Sequence, residues 1–399
     1  MNGLSFIDLF AGAGGLSTGL EKAGFDLVHA VEIDPDARET FSENRDSVSP
    51  DDLSKDIREI DSEPKIQQAV GTTEVDLIVG GPPCQGFSEV VSPDGTDERN
   101  HLFENFVNWV EVIEPEAVLF ENVRGIQSTA GGKFLDAVEK SFDKLGYDMT
   151  PRVVKSSNFG VPQQRRRLIG LATKRPICEN PFSEYELNPK SIPGVIDGIG
   201  DLPEVAAGEE SNKYSSDPQT VLQEDLRKGS RCLTLHQAAN HTERMINMIK
   251  QVPEGGNKDD ITEDPKPSSG FHNSYSRLKP NEPAVAITSN MSKPSSVRCI
   301  HPFEHRGLTP REGARLQTFP DKYEFSGNIT SVRQQIGNAV PPYLAEAIGY
   351  YLKEAVFDRK LTEADYNRIY RIRCGGMSPT EFQAQQDELG GHSQQLTLE

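Results

Sequence analysis

The sequence predicts an α/β fold, a doubly wound parallel sheet of Rossmann-like type accompanied by a smaller irregular domain. Three observations carry that expectation. Apolar, strand-like runs alternate with amphipathic, helix-like runs over about the first 175 residues, and such alternation implies parallel strands joined by helical crossovers. A glycine-rich turn follows the first apolar run. Beyond about residue 175, Pro, Ser, Asn and Gly become frequent and helical periodicity fades.

The strand-like runs are Leu4–Phe10, Leu27–Ile33, Asp76–Gly80, Ala117–Val123 and Leu168–Ala172. Between them, Leu102, Phe106, Val107, Val110 and Ile113 recur at helical spacing, so His101–Glu114 reads as a helix with Trp109 in its packing face. In sheets of this kind, ligands bind outside the carboxyl ends of the strands. Residues 1–175 therefore form the expected first domain, and residues 176–300 an irregular second one, with Thr242–Val252 as its one clear helical run. Helical patterns return at Leu308–Phe319 and Pro341–Val356, within a segment 301–358 expected to rejoin the first domain. Residues 359–399 form a C-terminal extension, rich in Gln and Gly from about Ser378 and expected to fray.

Composition narrows the class. With 35% apolar and 26% charged residues among 399, the chain is globular rather than disordered or fibrous. No apolar run approaches the ~20 residues of a membrane span. The N-terminus enters Leu4–Phe10 without a basic region or cleavage site, so no secretory signal is expected and the cytoplasm is the expected location. Five scattered cysteines without a CxxC pair point to free thiols, and the eight histidines show no metal spacing, so no metal is expected.

A formal charge of −19 argues at first against a nucleic-acid partner. The alternative is that acid covers solvent-facing surface while one face stays basic. Acid is dense over Glu32–Glu63, whereas Gln163–Arg167 and Arg227–Arg311 hold many basic residues. Such an acidic surface also suits a salty cytoplasm.

Four constellations carry chemistry. Asp8-Leu9-Phe10-Ala11-Gly12-Ala13-Gly14-Gly15-Leu16 is a strand feeding a glycine turn and a helix, and glycine lets the backbone bend and a ligand approach. Ser17 stands at the third glycine place of a dinucleotide fingerprint, so pyrophosphate binding is not required. Glu32, about 20 residues on, suits hydrogen bonds to ribose hydroxyls; nucleoside binding follows, with a purely structural turn as the alternative. In Gly80-Gly81-Pro82-Pro83-Cys84-Gln85-Gly86-Phe87-Ser88, two prolines aim a thiol at the carboxyl end of a strand. A lone cysteine is usually a small buried hydrophobe, but this setting is loop chemistry and favours a nucleophile. Phe120-Glu121-Asn122-Val123 places an acid at another strand end, and Gln163-Gln164-Arg165-Arg166-Arg167 precedes an apolar strand. If the arginines enter that strand, Arg165 and Arg167 share one side and Arg166 takes the other.

Asp8–Gly15, Pro82–Ser88, Glu121–Val123, Gln163–Arg167, Arg306–Pro320 and Gln335–Pro341 resemble, in order and spacing, the conserved blocks of bacterial and archaeal DNA (cytosine-5)-methyltransferases. The resemblance leaves out roughly Ile177–Arg298, where that family places its target-recognition domain, and the tail. It implies a methyl transfer from S-adenosylmethionine to C5 of a flipped cytosine in a specific double-stranded DNA sequence. Cys84 is then similar to the nucleophile, Glu121 to the acid at N3, and Arg167, with Arg165 nearby, to the group at O2. Phe10, Gly12, Gly14, Glu32, Ile33, Asp56, Ile57, Pro83, Leu102, Asn338 and Val340 are similar to cofactor contacts. A monomer is expected, with a cognate restriction endonuclease as a candidate partner. Basic residues of the middle region, among them Arg227, Lys228, Arg231, Arg244, Arg277, Lys279 and Arg298, are expected to face the duplex together with the Arg165–Arg167 edge.

Rival readings are weaker on the residues themselves. The tRNA-directed branch of the same superfamily carries a different run after Pro-Pro-Cys. A non-catalytic DNA-binding relative would not need Cys84, Glu121 and Arg167 together. Ser17 and the cysteine loop disfavour a dinucleotide oxidoreductase, and methylation of an exocyclic nitrogen would call for an Asn/Asp-Pro-Pro-aromatic loop in place of Gly81–Cys84.

Overall fold

A computed structural model describes residues 3–46, 48–71, 74–83, 100–267, 274–296 and 299–390. The chain divides into two compact units: residues 1–156, 165–186 and 324–365 form the first, and 157–164, 187–323 and 366–399 the second. Residues 301–323 thus group with the second unit, and 324–358 with the first.

The first unit is built on six strands: β1 (Leu4–Leu9), β2 (Phe25–Val31), β3 (Leu77–Gly80), β4 (Ala117–Val123), β5 (Asp148–Lys155) and β6 (Arg166–Thr173), in the order β2-β1-β3-β4-β6-β5. The expected all-parallel sheet is corrected in part. The first four strands in that order are parallel neighbours, but β6 runs antiparallel to β4, and β5 antiparallel to β6. No helical crossover separates β5 from β6, and adjacent strands joined without one pair antiparallel. Strand β5 was not expected from the sequence. It carries Pro151, Arg152 and Lys155 and lies at the sheet's edge, the place where a proline is tolerated.

Helices α1 (Gly15–Lys22), α2 (Pro35–Glu43), α3 (Glu63–Val70), α4 (Asn100–Ile113) and α5 (Lys133–Lys144) connect the strands. The central strands are largely apolar because both faces are covered: β1 and β3 are buried at every residue, Ser5 and Asp8 of β1 included. Trp109 on α4 is fully buried among Phe106, Val110, Val118 and Phe120. Burying an aromatic side chain of this size stabilises by roughly 1.5–3 kcal/mol or more.

The second unit holds short helices α6 (Val195–Ile199), α7 (Val221–Arg227), α8 (Glu243–Lys250) and α9 (Pro310–Leu316). The chain then re-enters the first unit as α10 (Ile329–Asn338) and α11 (Pro342–Tyr351), the latter running on as a π-helical turn at Leu352–Val356. Gly19 shows how closely α11 lies on α1. A Cβ at Gly19 would come within 2.4 Å of the Ala345 Cβ and the Pro342 carbonyl. The last helices are α12 (Glu363–Arg373) and α13 (Pro379–Gly390), so part of the tail expected to fray from Ser378 is helical, while residues 391–399 lie outside the described residues. Phe382 of α13 is buried with Val221 and Cys374, which gives the segment an apolar anchor.

Candidate active site

At the carboxyl ends of β1, β2, β3 and β4 lies a cleft of about 620 Å³ within the first unit. One wall is the glycine turn. Phe10 and Gly12 both take left-handed backbone, at φ 68° and 56°, and Gly14 at φ 78° caps α1. For Phe10 that conformation is strained. At Gly12 the space a Cβ would occupy is open. The Gly12 N–H donates to Glu32 Oε2 at 2.7 Å, and the Asp34 N–H to Glu32 Oε1 at 2.8 Å. Glu32, one residue beyond β2, is thereby fixed in the cleft with one bond to each oxygen. Burial raises its pKa, and those two N–H groups pull it back. Ile33 beside it is 60% exposed, a large apolar side chain turned to the cleft rather than to the core.

Asp8 explains Ser17. The Ser17 hydroxyl donates to the buried Asp8 carboxylate, so the residue in the third glycine place ties the helix back to the strand. Burial pushes Asp8 up to about 7, against the opposing pull of Ser17 and Arg45.

The opposite wall carries a carboxylate and a guanidinium. Arg167 Nε lies 2.8 Å from Glu121 Oε1, an ion pair in which both side chains are mostly buried. Burial raises the Glu121 pKa, while Arg167 and then Arg165 lower it; burial prevails. Gly81 is needed here, because a Cβ would meet Glu121 Oε2 at 2.8 Å. Asn122 Nδ2 donates to the Pro82 carbonyl at 2.9 Å and so ties β4 to the proline turn. Gly81, Pro82 and Pro83 line the cleft. Cys84, which follows them, lies outside the described residues.

The third side comes from the far end of the chain: Ser331, Gln334, Gln335, Asn338, Ala339 and Val340. Arg165 holds this segment in place, donating from Nη2 to the carbonyls of Gly337 at 2.8 Å and Asn338 at 3.2 Å. Burial and Arg167 pull Arg165 down to about 9, which leaves it charged at neutral pH.

Residues 4–354 match the family described as C-5 cytosine-specific DNA methylase. The chain belongs to that family. It is a DNA (cytosine-5-)-methyltransferase. The type II methyltransferase M.DdeI of Desulfomicrobium norvegicum is 36% identical over 374 residues, covering 86% of this chain and 87% of that one. The type II methyltransferase M1.HphI of Haemophilus parahaemolyticus is 35% identical over 354 residues, covering 86% and 85%. Among solved structures, a DNA modification methyltransferase encoded within an Escherichia coli prophage superposes with a TM-score of 0.71 at 27% identity, covering 89% of this chain and all of that one. The fold is that of DNA methyltransferases, here with a mixed six-stranded sheet.

Of the residues singled out in the sequence of this methyltransferase, Phe10, Gly12, Glu32, Ile33, Pro83, Glu121, Arg167, Asn338 and Val340 line the cleft. Gly14 does not line it and serves as a helix cap. Asp56 caps a short 3-10 turn and pairs with Arg58 at 2.6 Å, Ile57 is buried in the core, and Leu102 packs against that core from α4. Arg165 anchors the chain rather than facing the cleft. Gln335, whose side chain accepts from Thr40 at 2.6 Å and donates to the Ser326 carbonyl at 2.8 Å, was missed, as were Asn122 and Gly81. All three stand within the quoted blocks, Asn122 directly beside Glu121.

The basic edge expected to face DNA is also corrected. Arg166 is exposed, but Arg165 is buried and Arg167 is paired. Arg277 is buried, where its guanidinium donates to backbone carbonyls. Lys228 and Arg231 are exposed, and Arg298 lies outside the described residues. Among the described residues, no helix is long and apolar enough to cross a membrane.

Proposed function

We propose that this enzyme methylates a flipped cytosine of double-stranded DNA through a covalent adduct of Cys84. The observation that carries the reading is the Glu121–Arg167 pair, at 2.8 Å on the cleft wall and directly against Gly81 of the turn that leads to Cys84.

Cytosine C5 is a poor nucleophile. Addition of the Cys84 thiolate to C6 forms an S–C6 bond and moves electron density to C5, N3 and O2. Glu121 delivers a proton at N3, a task that burial favours by keeping the carboxyl protonatable. Arg167 offers its guanidinium to the charge gathering on O2. Once C5 carries the transferred methyl group, loss of the C5 proton and departure of the thiolate restore the aromatic ring and complete the cycle. None of these groups reaches a stacked base, so the target nucleotide must leave the duplex.

The cleft residues fit S-adenosylmethionine, the methyl donor of the family. The open cradle at Gly12 leaves room for a ligand, the fixed Glu32 carboxylate suits ribose hydroxyls, and the exposed Ile33 suits an adenine face. Phe10, Asn338 and Val340 would complete the pocket. When bound, the cofactor supplies an electrophilic methyl group on a sulfonium.

The second unit, with residues 187–323 at its centre, supplies the choice of sequence in this reading. In this reading the enzyme acts as a cytoplasmic monomer, and its likeness to type II methyltransferases supports service in a restriction-modification system with a cognate endonuclease as its partner.

The test uses duplex DNA of mixed sequence made with 5-fluorocytosine, incubated with S-adenosylmethionine. Fluorine at C5 cannot leave as a proton, so the adduct should accumulate and survive denaturing electrophoresis. Cys84→Ser should abolish the adduct and turnover while keeping cofactor affinity. An adduct that persists in Cys84→Ser would overturn the mechanism.

A further inference from the structure

Ile33 and Val123 are exposed large apolar side chains of the first unit, and both line the cleft, where a ligand would cover them. In the second unit Phe303 is 59% exposed, and the mechanism does not use it. It stands at the tip of the short loop His301-Pro302-Phe303-Glu304-His305, which is firmly built. Buried Arg277 donates from Nη1 to the carbonyls of His301 at 2.7 Å and Glu304 at 2.8 Å. From Nε and Nη2 it bonds the carbonyls of Val252 at 2.8 Å and Ile249 at 3.0 Å, at the end of α8. The His301 ring meets Phe303 edge-on at 6.3 Å, and His301 Nδ1 accepts the N–H of Phe303 at 3.3 Å and of Glu304 at 3.1 Å. Phe303 is therefore displayed by a rigid mount rather than left loose.

His305 is set by the same guanidinium. Arg277 Nη2 lies 3.3 Å from His305 Nδ1. A guanidinium can only donate, so Nδ1 accepts and Nε2 carries the proton. The exposed ring thus presents an N–H donor. The two charges that act on it, Arg277 and Lys250, are both positive. Glu304, the adjacent carboxylate, is turned to Arg306 at 2.9 Å. In a chain of net charge −19, this corner matches a polyanion that also carries flat apolar surface.

We propose that the His301–His305 loop contacts DNA. Phe303 packs on a sugar or base face, and His305 Nε2 donates to a phosphate oxygen beside it. The proposal rests on the reading that the second unit meets the duplex.

The test measures DNA affinity of the full-length protein by fluorescence anisotropy on mixed-sequence duplex, over a range of salt. Phe303→Ala should weaken binding about tenfold, as expected for a lost aromatic contact with nucleic acid. Its melting temperature and salt slope should stay unchanged, and Phe303→Trp should retain affinity. Lys228→Glu with Arg231→Glu serves as a reference elsewhere on the unit. If that pair weakens binding and Phe303→Ala and His305→Ala do not, the loop proposal is overturned and the wider reading stands. If none of these changes weakens binding, both fall. Loss of affinity in Phe303→Ala and Phe303→Trp together with lower melting would also overturn the proposal, since it would mark a structural role.

Discussion

In the first unit, Glu121 and Arg167 sit at strand ends and reach into a cleft; in the second, Arg277, Arg306 and Arg315 lie buried beneath irregular chain. Glu121 and Arg167 are each about 15% accessible and meet on a cleft wall. Arg315, by contrast, is fully buried, with Asp321 at 2.6 Å and Asp201 as its second carboxylate partner. Arg306 is likewise buried between Glu312 at 2.7 Å and Glu304 at 2.9 Å. The difference follows from the backbone. A sheet satisfies its own N–H and C=O groups, so side chains at its ends are available for chemistry. Short helices and turns leave many such groups unpaired, and guanidiniums serve there as cross-links. Arg277 alone collects carbonyls of Ile249, Val252, His301 and Glu304.

If that contrast is right, the largest effect belongs to Glu121→Gln. The amide still fits against Gly81 but cannot deliver a proton, so kcat should fall by ~10²–10⁴-fold. Cofactor affinity measured by calorimetry should hardly move. A defect confined to cofactor binding would place Glu121 in the cofactor's pocket instead.

Arg315→Met breaks the contrast from the other side. Removing one partner of a buried pair leaves Asp201 and Asp321 uncompensated and should cost ~3–5 kcal/mol in the second unit. Unfolding followed by denaturant titration would reveal it, and a loss below ~1 kcal/mol would refute the cross-link role. The same network predicts acid sensitivity. Burial would raise Glu312, but Arg306 and then His301 outweigh it and hold the carboxyl well below its ordinary 4.5. A depressed carboxylate stabilises above its unfolded pKa, so this contribution should fade as pH drops below about 4.5.

Asp8 gives an effect of the opposite sign. Burial raises it from 3.8 to about 7. Its contribution is fully present below pH 3.8 and is lost as pH rises through about 7. Wild type should therefore lose stability relative to Asp8→Asn between these pH values, and melting curves across pH would check it. A difference that stays flat with pH would show that Asp8 titrates normally.

The sheet was legible because its signals are local. Ala117–Val123 was expected and found at the same bounds, and His101–Glu114 differs from α4 by one residue at each end. The missing strand, Asp148–Lys155, is an edge strand whose sequence Asp-Met-Thr-Pro-Arg-Val-Val-Lys lacks an apolar run. At the site, Glu32 was readable from its distance to the glycine turn, whereas the anchoring work of Arg165 was not. Its partners, Gly337 and Asn338, are 172 and 173 residues away in the chain. Arg277 misled for a similar reason. A basic residue in a polar stretch reads as solvated, and only the folded carbonyls around it reveal a buried cross-link.

The central claim is that the first unit performs the chemistry and the second selects the sequence. Its most direct test replaces residues 187–298 with the corresponding stretch of a related enzyme of known target, followed by bisulfite sequencing of DNA from cells expressing the chimera. The methylated motif should follow the transplanted segment, with Cys84, Glu121 and Arg167 unchanged. An active chimera that still methylates the original motif would contradict the claim and move recognition into the first unit.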